Sequence, residues 1–176
     1  MSPPRIRLAQ ARELERLADV ELSAAERFRE VGLGWVVEAG TLPAYVLRAA
    51  LGRGTLWVAP DRGDRPAGFL AACELDGALF VIELSVALEH QGRGLGSALL
   101  DEAVAHAARE GMAGVTLTTF RDVPWNAPFY ARRGFVELDP AALGPGLRAR
   151  LAAELAAGHE PGRRCAMARP AAPESA

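Results

Sequence analysis

Residues 79–100 admit few local folds. Leu79 to Val86 is an apolar run of strand character, and glycines at 92, 94 and 96 then interrupt the chain. Ala98, Leu99 and Leu100 resume at helical spacing, so a helix is expected to open at about Gly94. A strand that turns through glycines into a helix leaves backbone N–H groups without partners, here those of Arg93, Gly94, Gly96 and Ser97. Together with the positive end of the helix dipole they make an anion site suited to phosphate. Glycine lets the backbone come close to a ligand and take positive φ. The expectation is a pyrophosphate cradle at a strand-to-helix junction.

Two familiar cradles do not fit. A Walker loop requires a lysine, and all 20 basic residues of this chain are arginine. A dinucleotide fingerprint requires Gly-x-Gly-x-x-Gly. Counted from Gly94 the third glycine position is Leu99, and counted from Gly92 it is Ser97. Gln91-x-x-Gly94-x-Gly96, placed after Leu84-x-Val86 and before Ala98-Leu99-Leu100, resembles the acyl-CoA pyrophosphate loop of the GNAT superfamily of N-acetyltransferases.

A second stretch carries the other half of the resemblance. Val115 to Phe120 is β-rich, a proline-marked break comes next, and a short helix is expected from about Asn126 to a stop at Gly134. Asn126-x-x-x-Tyr130-x-x-x-Gly134-Phe135 resembles the GNAT strand and helix that flank the pantetheine arm. Asn126 and Tyr130 are four residues apart and so share a helix face. The resemblance implies that Asn126 contacts pantetheine, with Phe129 beside it, and that Tyr130 is the general acid toward the departing thiolate. A phenol with a reference pKa near 10 is suited to protonating a thiolate whose reference is about 8.5. The resemblance also assigns backbone contacts with the acetyl and pantetheine portions to Leu84, Ser85 and Val86. It gives the cradle to Gln91, Gly92, Arg93, Gly94, Leu95, Gly96 and Ser97. It is firm over residues 55–138 and looser elsewhere.

Strand alternation sets Phe80, Ile82, Leu84 and Val86 on one face and Val81, Glu83 and Ser85 on the other. A carboxylate within an apolar strand is costly unless it is exposed, paired or used. Glu83 is therefore read in two ways, as the general base for an incoming ammonium or as half of a structural salt bridge. A bulge in this strand would alter the assigned facing. By resemblance Glu26, Phe28, Trp35 and Trp125 flank the acceptor pocket; taken singly, each also reads as core packing. His90 and His106 read as surface residues.

Composition excludes several functions. The net charge is −2 with scattered arginines, unlike a nucleic-acid footprint. No apolar run reaches the about 20 residues of a membrane span. The start lacks a signal-peptide core, and the expected location is the cytoplasm. Cys73 and Cys165 form no disulfide framework, and neither they nor the three histidines have metal-ligand spacing, so no metal is expected. The implied partners are acetyl-CoA as co-substrate and an amine acceptor, either a small molecule or a peptide. Homodimers are common among such enzymes, though no segment marks an interface. A rival reading is a non-catalytic acyl-CoA-binding or regulatory module.

One domain over residues 1–169 and a disordered tail over 170–176 are expected. The fold class is mixed α/β, a mostly antiparallel sheet flanked by helices. In order, the chain reads as an edge strand (5–9) and a helix (11–22) with a Leu14, Leu17, Leu22 stripe. A helical piece (23–30) comes next, opened by a Ser23-x-x-Glu26 capping box, then a loop (32–40) and a helix (41–50) capped by Thr41. Strands at 55–59 and 67–74 and an Asp76-Gly77 hairpin turn precede the glycine-loop strand, whose helix ends near Gly111. Beyond the second motif come a strand (135–138), a helix (145–157) and a closing strand (163–169). That last helix departs from the simplest version of the layout.

Overall fold

The computed structural model describes residues 4–171. Strands are β1 (Arg7–Leu8), β2 (Leu56–Pro60), β3 (Pro66–Leu75), β4 (Ala78–Val86), β5 (Gly114–Phe120), β6 (Val136–Glu137) and β7 (Arg164–Pro170). Helices are α1 (Leu14–Ala25), α2 (Trp35–Glu38), α3 (Ala44–Arg53), α4 (Leu95–Arg109), α5 (Ala127–Ala131) and α6 (Pro145–Ala156). The strands form one sheet in the order β1-β2-β3-β4-β5-β7-β6. β4 and β5 run parallel, while β1–β2, β2–β3, β5–β7 and β6–β7 are antiparallel. This is the mixed α/β class expected. Among the described residues no helix is long and apolar enough to cross a membrane.

The chain forms two compact units, residues 1–73 with 82–103, and residues 74–81 with 104–176. In the first, Leu56 and Val58 of β2 and Phe69 and Ala71 of β3 share a core with Leu17 and Val20 of α1 and Leu47 and Ala50 of α3. The period-two spacing on the strands and the three-residue spacing on the helices put these side chains on facing surfaces. Leu22, expected on the buried stripe, is 42% exposed. Val20 takes its place, because at 100° per residue it lies about 60° from the buried Leu17 whereas Leu22 lies about 140° away. Glu13 in that turn is buried and takes two hydrogen bonds from the Arg7 guanidinium at 3.0 and 2.7 Å.

Two expected caps are absent. Ser23 opens no new helix: α1 runs on to Ala25 and tightens into a 3-10 turn, Glu26–Val31. The Ser23 hydroxyl instead accepts the Leu88 N–H at 3.0 Å, a tertiary partner that outcompetes a local cap. Thr41 caps nothing; α3 starts after Pro43, whose fixed φ suits a helix entrance. The expected loop at 32–40 contains the short α2.

In the second unit β5 pairs with β7 from Gly114↔Pro170 to Phe120↔Arg164. A side chain on Gly114 would run into the Arg169 carbonyl, so glycine is required for this close approach. Pro170 belongs to β7 and the Ala171 N–H donates to Ala113 O at 3.2 Å; the rest of the expected tail, 172–176, lies outside the described residues. Glu154 of α6 takes hydrogen bonds from Thr118 of β5 at 2.5 Å and from Arg164 of β7 at 2.9 and 3.1 Å. Burial, the largest influence, pushes the Glu154 carboxyl upward, but the Arg164 and Thr118 bonds together outweigh it and hold it below its usual range.

The Asp76-Gly77 turn has positive φ at both residues, 53° and 77°, the requirement of a type I′ hairpin. Asp76 does more than turn the chain. Its carboxylate accepts the N–H groups of Gly146 at 2.9 Å and Leu147 at 3.0 Å, capping α6. A side chain on Gly144 or Gly146 would collide with Asp76. Replacing Asp76 by Ala should cost about 1–3 kcal/mol, from the lost cap and a left-handed conformation that Ala tolerates poorly. Asp76→Asn keeps one acceptor and tolerates positive φ, so it should lose less than half of that. Urea unfolding checks this; wild-type midpoints for both variants would show that Asp76 is no cap.

Candidate functional site

In the first unit the Ala87 N–H, just past β4, donates to Ala67 O at 2.9 Å. The chain then makes a 3-10 turn at Leu88–His90, extends at Gln91, and passes through Gly92 (φ +74°) and Gly94 (φ +80°). The first bond of α4 is Ala98 N–H to Gly94 O at 3.0 Å. The N–H groups of Leu95, Gly96 and Ser97 precede it and have no partner within the helix. The helix thus opens at Leu95, one residue later than expected. A Cβ at Gly92 or Gly94 would meet nothing within 4 Å, so these glycines serve the left-handed backbone and face open space. Residues 92–94 are exposed and Ser97 is buried. The arrangement fits an anionic ligand approaching the helix end.

Gln91 does not point its amide outward. Its Nε2 donates to Val86 O at 3.0 Å, and its Oε1 accepts from Arg27 Nη1 at 3.2 Å. The side chain thereby closes the turn between strand end and glycine loop and ties it to the Glu26–Val31 turn. The exposed Arg93 side chain contributes no such brace.

Glu83 and Ser85 share a face, as alternation requires, and the Ser85 hydroxyl donates to Glu83 Oε1 at 2.7 Å. Val81 is buried, while Ile82, Glu83, Leu84 and Val86 are half-buried, so the strand's cover thins toward the glycine loop. Nothing in the sequence marked the neighbouring Glu21 of α1. Both of its carboxylate oxygens accept the Leu42 N–H at 3.0 Å. Burial first, and the Glu83 charge second, push the Glu21 carboxyl up to about 7 against the pull of that N–H. Helix periodicity cannot reveal that a glutamate of a helix is half-buried and feels the charge of a strand carboxylate distant in sequence.

In the second unit Asn126 stands at the N-cap of α5, where its backbone carbonyl accepts the N–H groups of Phe129 and Tyr130 at 2.8 and 3.1 Å. Its Oδ1 accepts from the buried Thr119 hydroxyl at 2.8 Å. That bond fixes the amide, and among the described residues no protein group takes the Nδ2 donors. The Tyr130 ring is half-buried and meets Phe129 and Phe135 edge-on, at 5.2 and 5.8 Å between centroids. Trp125 is half-buried.

The four acceptor-flanking residues have different surroundings. Glu26 is exposed and pairs with Arg29 at 3.0 Å, Phe28 is half-buried, and Trp35 opens α2 at 38% exposure. His90 and His106 are half-buried rather than on the open surface. Burial and the nearby Glu137 charge push the Cys165 thiol up to about 11, leaving it a neutral, unreactive thiol at pH 7. Among the described residues no group of three or more His, Cys, Asp or Glu is placed to hold a metal.

A family model described as an acetyltransferase (GNAT) domain matches residues 52–137, a stretch that includes β4, the glycine loop, Asn126 and Tyr130. The fold is similar to solved structures of low identity. An N-acetylglutamate synthase from Neisseria gonorrhoeae, complexed with coenzyme A and N-acetyl-glutamate, has a TM-score of 0.72 at 16% identity. The match covers 98% of this chain but 36% of the synthase chain, so the protein spans about a third of that relative's length. A GNAT-family acetyltransferase from Staphylococcus aureus Mu50 gives 0.70 at 14% identity, covering 97% of this chain and 100% of that one. The ribosomal-protein-S18-alanine N-acetyltransferase of Escherichia coli gives 0.65 at 17%, covering 99% of each.

Thr119→Val keeps the shape of a buried side chain and removes the donor to Asn126. It should cost about 1 kcal/mol and lower the melting temperature by about 2–4 °C. The Asn126 Nδ2 protons should exchange faster with water in amide-resolved NMR; unchanged exchange would mean that Thr119 does not hold the amide.

Proposed function

We propose that the chain, which matches an acetyltransferase (GNAT) domain over residues 52–137, moves an acetyl group from acetyl-CoA directly to a primary amine of a small molecule or peptide. The observation that carries this reading is the glycine loop, whose left-handed Gly92 and Gly94 leave the N–H groups of Leu95, Gly96 and Ser97 ahead of the first helical bond. Those donors suit the pyrophosphate of CoA. The Asn126 Nδ2 donors, left over once Thr119 occupies Oδ1, suit a pantetheine carbonyl. Acetyl-CoA supplies an activated thioester carbonyl.

In this reading Glu83 takes a proton from the acceptor ammonium, directly or through water, with the Ser85 hydroxyl holding the carboxylate in place. The amine nitrogen bonds to the carbonyl carbon as the carbon–sulfur bond breaks. A backbone N–H in Leu84–Val86 stabilises the charge that develops on the carbonyl oxygen. The Tyr130 hydroxyl donates its proton to the departing sulfur, and the surplus proton on the new amide nitrogen passes to the phenolate, directly or through water. The Arg27–Gln91–Val86 brace keeps the strand end and cradle in one geometry, which suits a direct transfer that depends on position. The N. gonorrhoeae synthase is named for an amino-acid product and the E. coli enzyme for a protein alanine. These bound the acceptor classes worth testing. The reading includes a cytoplasmic location, the compartment that holds acetyl-CoA.

The test is thiol release from acetyl-CoA across amines, amino acids, polyamines, aminoglycosides and short peptides. Amine-dependent release is expected. With a responding amine, Tyr130→Phe and Glu83→Gln should each lower kcat about 100-fold or more, with little change in KM for acetyl-CoA. Tight acetyl-CoA binding by calorimetry with no turnover on any amine would favour the binding-module alternative. Wild-type rates in both variants would remove the assigned roles.

A further inference from the structure

We propose that Arg27 is a positioning residue that couples the glycine-loop cradle to the Glu26–Val31 turn, so that acetyl-CoA bound at the cradle also orders the turn; this rests on the acetyltransfer reading. The link is two hydrogen bonds in series. Arg27 Nη1 donates to Gln91 Oε1 at 3.2 Å, and Gln91 Nε2 donates to Val86 O at 3.0 Å. These partners allow the Gln91 amide one orientation. Turned over, it would set its oxygen against a carbonyl and its NH2 against a guanidinium, losing both bonds. Gln91, the residue from which the chain enters Gly92, is thus held from two sides.

Both ends of the link are lightly packed. The Glu26–Val31 turn buries no residue and packs on its chain neighbours α1 and α2. The Arg29–Glu26 pair at 3.0 Å stays inside the turn. The Arg27–Glu30 pair is 3.8 Å long with Glu30 64% exposed, so water screens it. At the other end the glycine loop is open, since a Cβ at Gly92 or Gly94 would meet nothing within 4 Å. Ser23, four residues before Arg27, accepts the Leu88 N–H at 3.0 Å. The end of α1 and the turn after it therefore grip the 86–91 segment at two points.

Two lightly packed segments joined by a directional bond order one another. A ligand that fixes the cradle holds Gln91 still, and Gln91 then restrains Arg27 and the turn that carries it. Linkage makes the effect mutual: a turn already held by Arg27 leaves less disorder to be lost when the cradle fills. The turn carries Glu26 and Phe28, which by resemblance flank the acceptor, so the coupling extends to that side of the reaction. Arg27 touches neither acetyl-CoA nor acceptor in this role; it acts through Gln91.

The test has two arms, both on the full chain. In calorimetry with acetyl-CoA, Arg27→Met keeps the side-chain stem, loses the donors and should bind about 3–10-fold more weakly than wild type. Arg27→Lys restores a donor and should recover most of that loss. In a Gln91→Leu background Arg27→Met should have no further effect. An equal loss in both backgrounds would mean that Arg27 does not act through Gln91 and would overturn the proposal. The second arm is hydrogen exchange. Amides of residues 26–31 should gain protection when acetyl-CoA binds the wild type, and much less in Arg27→Met at saturating acetyl-CoA. A turn indifferent to acetyl-CoA in the wild type, or equally protected in Arg27→Met, would overturn the coupling. Because the turn buries no residue, Arg27→Met should melt within about 2 °C of the wild type. A much lower melting temperature in both Arg27→Met and Arg27→Lys would make Arg27 a structural residue instead. A wild type that binds no acetyl-CoA would defeat the acetyltransfer reading and this role with it, whereas binding without protection of the turn defeats this role alone.

Discussion

The turn from β4 into α4 is the constraint on which the first unit is organised. A sheet strand commits its N–H groups to its neighbours, whereas a helix leaves its opening N–H groups free of helical partners. Passing from one to the other in a few residues requires φ values that only glycine adopts without strain, and Gly92 and Gly94 take them. The turn alone would be loose, since no atom approaches either glycine's would-be side chain. Its rigidity comes from outside it. Gln91 bolts the Val86 carbonyl, Arg27 holds Gln91, and Ser23 accepts the Leu88 N–H. The cradle is open toward solvent and braced from behind, the combination needed for backbone donors to meet a ligand in a fixed geometry.

The same division between local and tertiary causes explains which features are legible in the residues alone. The β4–glycine loop–α4 junction, the Asp76-Gly77 hairpin and the Asn126–Tyr130 helix are short-range features. Each arises from backbone preferences and period within about ten residues. Where sequence and structure differ, the cause is most often a polar side chain whose partner lies far along the chain. Ser23 matches a capping box, yet serves Leu88. Asp76 has the pattern of a turn residue, yet also caps α6 from the other side of the sequence. Glu21 has the pattern of a helix's polar face, yet accepts the Leu42 N–H and is raised by burial. Leu22 is apolar yet exposed, because five residues of helix turn it about 140° away from Leu17. Periodicity reports which face is buried, not what a polar group finds there.

Arginine is this chain's sole basic side chain apart from histidine, and its planar fork gives one buried and one half-buried carboxylate a bidentate partner. Arg7 grips Glu13 and Arg164 grips Glu154, and both carboxyls lie below their usual range. For Glu13 the Arg7 hydrogen bonds are the largest cause. A depressed carboxyl adds stability above its unfolded pKa and loses it as pH falls through the folded value. These two pairs therefore favour the fold from neutral pH down to mildly acidic conditions.

Glu21 breaks this pattern. Its carboxyl is raised, so its contribution is complete below its unfolded pKa and is lost as pH rises toward about 7. A residue that only served stability would gain from an arginine, which this composition supplies freely and which Glu13 and Glu154 both have. What Glu21 has instead is a single backbone N–H and a second carboxylate. The Glu21 shift thus works against the fold as pH rises toward neutrality, the reverse of the Glu13 and Glu154 pairs, because burial without a cation favours the neutral carboxyl.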